Sequence, residues 1–144
     1  MTDLFSSVAL PGGFEEVEHT ADWAYHIWAP DYVHLFLQAA RGLYALLGAE
    51  WSPEPGTTRR VKLQGVDYES LLIAWLNELL FYRYGENLGF NQIDITHLAP
   101  TCLEATLGGS PITQWSKDIK AATYHNLAIT PTDDGVEATI VLDV

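Results

Sequence analysis

The closing stretch of the chain alternates between apolar and more polar positions, which is typical of a β-strand with one buried face. The apolar set is Val136, Ala138, Ile140, Leu142 and Val144, and the alternating set is Glu137, Thr139, Val141 and Asp143. The pattern therefore predicts that Asp143 lies on the less apolar face of a well-specified strand.

Two other segments have helical periodicity. The first begins after Asp31, a good N-capping residue, and ends at Gly48, a residue suited to terminating a helix. Its apolar stripe consists of Phe36, Ala40, Leu43 and Leu47. The second begins after Asp67 and has a wider apolar surface, formed by Leu71, Leu72, Trp75, Leu76, Leu79 and Leu80. This width predicts that the second helix is buried against a sheet and against the first helix.

The remaining periodic segments predict strands joined mostly by short turns. They lie within residues 14–29, 59–65, 88–98, 101–107 and 120–129. Short turns favour antiparallel pairing, so we expect an α+β fold with largely antiparallel sheet(s) and two helices packed on one side. Residues 1–13 are predicted to be a flexible N-terminal arm, and residues 14–144 a single domain.

Composition narrows the range of partners. The formal net charge is −12, with 7 Lys and Arg against 19 Asp and Glu. Direct binding of nucleic acid is not expected, because it requires a basic surface. The single cysteine, Cys102, excludes an internal disulfide. We find no signal peptide or membrane span, so a cytoplasmic protein is expected.

The sequence lacks the motifs of several kinds of catalytic site. The chain has no Gly-x-Ser-x-Gly elbow, no phosphate-binding loop and no dinucleotide fingerprint. Its five histidines are scattered without the spacing of zinc ligands. Nucleophilic catalysis, nucleotide binding through these loops and a zinc centre are therefore not favoured.

An acidic segment at residues 18–22 is a better candidate. Glu18 and Asp22 supply two carboxylates around His19, in a polar interruption between strand-like sequences. Hard cations prefer several oxygen ligands, which such a bend can provide. The alternative is an ordinary turn in which Asp22 bonds its own backbone.

Strand pairing suggests a second part of the same site. If residues 120–129 pair with the closing strand, Ala122 lies opposite Asp143 and Lys120 lies just beyond the paired segment. Lys120, Tyr124 and Asp143 then share the face away from the core. A site needs a third element on that face; otherwise Lys120 and Asp143 form only a structural ion pair.

Four stretches of the sequence are informative together, namely HTAD at 19–22, LLIAWLNELLF at 71–81, KAATYHNL at 120–127 and VLDV at 141–144. In this order they resemble the archease family, over about residues 14–144. HTAD alone is unspecific, whereas the four in this order are highly specific. Glu18 replaces the aspartate that more often precedes HTAD in this family.

The resemblance implies a function outside catalysis. Archeases act as protein cofactors of the GTP-dependent RtcB-type RNA ligase, which seals RNA in tRNA splicing and RNA repair through histidine guanylylation. The resemblance therefore implies an RNA ligase activator with no catalysis of its own, which promotes guanylylation and multiple turnover. It also implies a divalent cation, calcium or magnesium, and RtcB-type RNA ligase as the partner.

Carried over residue by residue, the resemblance implies metal ligands at Asp22, Asp143 and Val144, a partner-activating lysine at Lys120, and supporting contacts from Glu18 and His19. Val144 would contribute a backbone or terminal oxygen. Two other hypotheses stay open at the level of sequence. One is a stand-alone metal-dependent hydrolase with His19 as base, and the other is a general chaperone or binding module.

Overall fold

The structure is a computed structural model that describes residues 1–17, 22–54 and 56–144. Its strands are β1 (Thr2–Asp3), β2 (Gly13–Val17), β3 (Trp23–Ala29), β4 (Glu50–Trp51), β5 (Thr57–Gln64), β6 (Leu88–Ala99), β7 (Cys102–Gln114), β8 (Ala121–Thr123), β9 (Thr130–Thr132) and β10 (Gly135–Asp143). Its helices are α1 (Tyr32–Leu47) and α2 (Tyr68–Glu86). Within the described residues, the strands form two antiparallel sheets.

The first sheet is built on the long hairpin of β6 and β7. β1 pairs with the outer edge of β6, while β5 and then β4 pair along β7. The strand predicted within residues 101–107 is longer in the structure, where β7 continues to Gln114. Glycine permits this because the two backbones approach closely: a Cβ added at Gly109 would lie 1.8 Å from the carbonyl oxygen of Gly89.

The second sheet has β3 and β10 at its centre. β2 pairs with β3 on one side, and β8 and β9 pair with successive parts of β10 on the other. β3 is therefore an interior strand of this sheet, paired on both sides. This sheet carries the candidate site, because predicted site residues adjoin the start of β3 and the end of β10, which lie at the same end of this antiparallel pair.

Helix α1 begins and ends where the sequence predicts, and α2 begins where the sequence predicts. The Asp31 carboxylate accepts a hydrogen bond from the backbone N–H of His34, and Gly48 ends α1 in the left-handed region at φ 63°. Asp67 and Ser70 form a capping box at the start of α2. Neither helix, nor any other in the described residues, is long and apolar enough to span a bilayer.

The core lies where the helices meet the two sheets. Each helix contacts strands of both sheets, with α1 against β3 and β6, and α2 against β6 and β8. The fully buried Trp75 indole donates to the carbonyl oxygen of Phe36 at 2.9 Å, which ties α2 to α1. The Tyr25 hydroxyl donates to the carbonyl oxygen of Ala39 at 2.7 Å, and burial raises the pKa of Tyr25. The α+β fold is confirmed.

The start of the N-terminal segment, predicted as a flexible arm over residues 1–13, contacts the first sheet. Thr2 and Asp3 pair with β6, and the Leu4 side chain is only 2% exposed. The Phe5 ring packs 5.4 Å from the Trp51 ring, measured between centroids. A strand of two residues has no detectable periodicity, so the sequence pattern does not show this docking.

Candidate functional site

The pairing of β3 with β10 brings the two predicted aspartates to the same end of these strands, where the second sheet stops. The last pair in this register is Trp23 opposite Leu142. Asp22 immediately precedes Trp23 and Asp143 immediately follows Leu142, so extending the antiparallel register by one position puts Asp22 opposite Asp143. Both aspartates are exposed. We call Asp22, Asp143 and the adjacent Val144 the aspartate edge.

Lys120 joins this edge through its backbone. Its N–H donates to the carbonyl oxygen of Asp143 at 2.8 Å, directly before β8 begins. The predicted register was wrong by one residue, because Ala121 and not Ala122 pairs with Asp143. The expectation that strand parity places Lys120 and Tyr124 on the face of Asp143 therefore fails. Lys120 is nevertheless next to Asp143.

The register differs because residues 120–129 do not form one continuous strand. From Glu137 to Val141, β10 advances by four residues, while the facing chain spans seven, from Thr130 back to Thr123. The additional residues leave the sheet in a turn. That turn contains Asn126 at φ 51°, a left-handed conformation that a regular strand excludes.

Helix α2 holds β8 in place through the side chain of Asn77. The Asn77 amide donates to the carbonyl oxygen of Ala122 at 3.2 Å and accepts from its N–H at 2.8 Å. These two bonds satisfy the backbone groups on the outer edge of β8. Asn77 therefore fixes the strand that begins directly after Lys120. Sequence periodicity gives no signal for it, because only the fold brings Asn77 to β8.

We expect Asn77→Ala to destabilise the protein by about 1–3 kcal/mol, because both bonded backbone groups of the buried Ala122 lose their partner. Urea denaturation would measure the free energy of unfolding. Gln114→Ala, at an exposed polar position of β7, is the matched control and should change it by less than about 0.5 kcal/mol. Equal stability of Asn77→Ala and wild type would contradict a clamping role.

The charged side chains of Asp143 and Lys120 are both exposed. The ion pairs within the described residues do not include Lys120 or Asp143. The alternative of a structural Lys120–Asp143 pair therefore has no support in the geometry. A second cation lies near, because the Lys117 ammonium sits 5.6 Å from the centroid of the Trp23 ring. The sequence analysis did not identify Lys117.

The edge offers oxygen donors suited to a hard divalent cation. Asp22 and Asp143 can supply carboxylate oxygens, and the exposed Val144 can supply a backbone oxygen. Within the described residues, no three His, Cys, Asp or Glu side chains form a metal-binding group. A cation bound by two aspartates would have further coordination positions open to backbone oxygens, water or groups of a partner. Glu18 and His19, the expected supporting residues, lie outside the described residues.

Comparison with known proteins agrees with this fold and motif order. A sequence model of the Archease protein family matches residues 14–144. A protein named archease from Saccharolobus islandicus strain M.14.25 is 32% identical over 136 residues, which cover 91% of this chain and 98% of the relative. An archease from Methanopyrus kandleri is 28% identical over 138 residues, covering 91% of this chain and 99% of the relative.

Solved structures show the same architecture. The crystal structure of a Thermotoga maritima archease, described as a possible chaperone, superimposes with a TM-score of 0.69 at 23% identity and covers 90% of this chain and 96% of its own. The solution structure of a protein from Methanobacterium thermoautotrophicum has a TM-score of 0.67 at 27% identity, covering 92% and 99% respectively. The family match over residues 14–144 and these relatives lead to one conclusion: the chain belongs to the archease family.

Proposed function

We propose that this protein is a metal-binding cofactor that activates the GTP-dependent RtcB-type RNA ligase in tRNA splicing and RNA repair. In this role it promotes guanylylation of the ligase and allows multiple turnover. Family membership supports the proposal. The observation that carries it is the juxtaposition of Asp22, Asp143 and Lys120 at one exposed edge of the second sheet.

The charge of the chain suits a protein partner better than an RNA. A formal net charge of −12 repels a phosphate backbone but attracts the basic surface that an RNA-binding enzyme needs. Association is then steered electrostatically and weakens as salt is added. The acidic chain thus approaches the ligase without competing for its RNA.

The aspartate edge would hold the cation. Asp22 and Asp143 would bind it through carboxylates and Val144 through a backbone oxygen, and when bound the ion would supply a concentrated positive charge for polarising phosphate oxygens. Lys120 is exposed at the same edge and can contact an anionic group of the ligase or its nucleotide. Its backbone bond to Asp143 couples the position of the lysine to that of the aspartate.

The test is multiple-turnover RNA ligation by a cognate RtcB-type ligase with GTP and a divalent cation. We expect substoichiometric amounts of the chain to raise the number of turnovers per ligase and the rate of ligase guanylylation. The chain alone should neither ligate nor hydrolyse RNA or GTP. Turnover of substrate by the chain alone would favour the hydrolase hypothesis, and a failure to stimulate the ligase would contradict the proposal.

A further inference from the structure

An open groove runs beside the aspartate edge, between the C-terminal half of α2 and the start of β8. Its volume is about 490 Å³. The lining is mostly apolar and includes Leu80, Phe81, Tyr84, Gly85, Lys120 and Ala121. Lys120 therefore belongs to both surfaces, and we call this second surface the helix groove.

Two aromatic rings of the helix groove are exposed to an unusual degree for large apolar side chains. Phe81 is 64% exposed and Tyr84 is 55% exposed. Successive positions three apart on a helix lie on one face, so the two rings present a continuous surface. Exposed apolar surface of this kind marks an interaction site when it is contiguous.

Tyr84 is held in place although it is exposed. Its hydroxyl donates to the carbonyl oxygen of Ile119 at 3.0 Å, and the Arg83 guanidinium lies 4.3 Å from the centroid of its ring. The buried Arg83 is itself bound to Asp118 at 2.8 Å. A ring fixed in this way loses little conformational entropy when a partner covers it, which is the property of an interface anchor.

Gly85 supports the same interpretation. Glycine is a poor helix former, and here a Cβ would meet no atom within 4 Å, so packing inside the molecule does not require it. Its φ is not positive either. Because Gly85 has no side chain, the helix groove stays open at this position.

We infer that the helix groove docks an apolar side chain of the RNA ligase, with a neighbouring carboxylate of the ligase bound by Lys120. This inference rests on the proposed function. It adds an anchor site on α2, distinct from the aspartate edge. The apolar side chain would cover Phe81 and Tyr84 and would occupy the space above Gly85.

Charge complementarity favours the RNA ligase as the molecule that occupies the helix groove. Lys120 is the charged side chain that lines the helix groove, whereas the adjoining edge carries Asp22 and Asp143. A protein surface can present a carboxylate to the lysine and basic groups to the aspartates at once, which fixes its orientation. A nucleotide stacked on Phe81 would bring several negative charges beside two aspartates on a chain of net charge −12.

The test uses the full chain and the cognate ligase, with Gly85→Trp to fill the helix groove and Phe81→Ala to remove an anchor. Val66→Trp is the matched control, because Val66 is 83% exposed and precedes the other end of α2, about 28 Å away for a helix of 19 residues. Gly85→Ala serves as a second control that adds only one carbon. Circular dichroism and thermal unfolding check that each variant is folded.

We expect Gly85→Trp and Phe81→Ala to weaken binding to the ligase by at least about tenfold, with normal stimulation recovered at high concentration of the variant. Val66→Trp and Gly85→Ala should bind as wild type. Cation binding by the variants should be unchanged, because the aspartate edge is intact.

The outcomes separate the two proposals. If wild type stimulates the ligase but both groove variants bind it normally, the helix groove is not a docking site and the proposed function stands. If the variants bind the ligase normally but lose GTP binding or self-association, the groove serves a nucleotide or a second copy, and the inference is overturned. If wild type does not stimulate the ligase at all, the proposed function fails and the docking inference fails with it.

Discussion

Replacing Asp143 with alanine is expected to abolish stimulation of the ligase while leaving the protein folded. Asp143 is exposed at the end of β10, and its side chain makes no hydrogen bond or ion pair within the described residues. Its removal should therefore change the free energy of unfolding by less than about 0.5 kcal/mol. In the proposed site this carboxylate binds the cation, so affinity for calcium or magnesium should fall by at least about tenfold. Isothermal titration and multiple-turnover ligation measure the two effects.

Asp22→Ala should reproduce both effects, because Asp22 continues the register opposite Asp143. The double variant should be no worse than either single variant, since loss of one ligand already disables the shared site. Asp94→Ala, at an exposed aspartate on β6 of the other sheet, is the control for loss of one negative charge. Normal cation affinity in both Asp22→Ala and Asp143→Ala would refute the metal site.

Local sequence signals predicted most of the framework that positions this edge. Helix boundaries followed from Asp31, Gly48 and Asp67, because capping depends on a few adjacent residues. The closing strand was predicted from its alternation of apolar and more polar residues, because only one face of such a strand can pack against the core. Asp22 and Asp143 were selected by resemblance, and in the structure they adjoin the last β3–β10 pair, Trp23 opposite Leu142.

Features that depend on contacts between distant segments could not be predicted in the same way. β1 is stable only because the edge of β6 is open to it, and Asn77 becomes a clamp only when α2 meets β8. The Lys120–Asp143 proximity was expected from a continuous strand over residues 120–129, but it arises from a backbone hydrogen bond after a turn. Registers set by loops of uncertain geometry are hard to infer from alternation alone.

Lys120→Ala should also remove stimulation, but for a different reason and with a different signature. The ammonium group is not a cation ligand, so calcium or magnesium affinity should stay within about twofold of wild type or rise slightly, because a nearby positive charge is lost. Backbone bonding between Lys120 and Asp143 does not involve the side chain, so the edge itself should be preserved. Stimulation should fall by at least about tenfold, because a charge-assisted contact to the ligase is lost.

Lys120→Arg tests whether charge alone is sufficient, and we expect partial stimulation, since the planar guanidinium directs its donors differently from an ammonium. Lys62→Ala is the matched control, because Lys62 has a 65% exposed side chain on the first sheet, paired with Glu104 at 3.9 Å. Loss of cation binding in Lys120→Ala would show that the lysine shapes the aspartate edge. If Lys120→Ala stimulated the ligase as well as wild type does, Lys120 would not be part of the functional site. Measured together, cation affinity and turnover thus separate a metal ligand from a group that contacts the ligase.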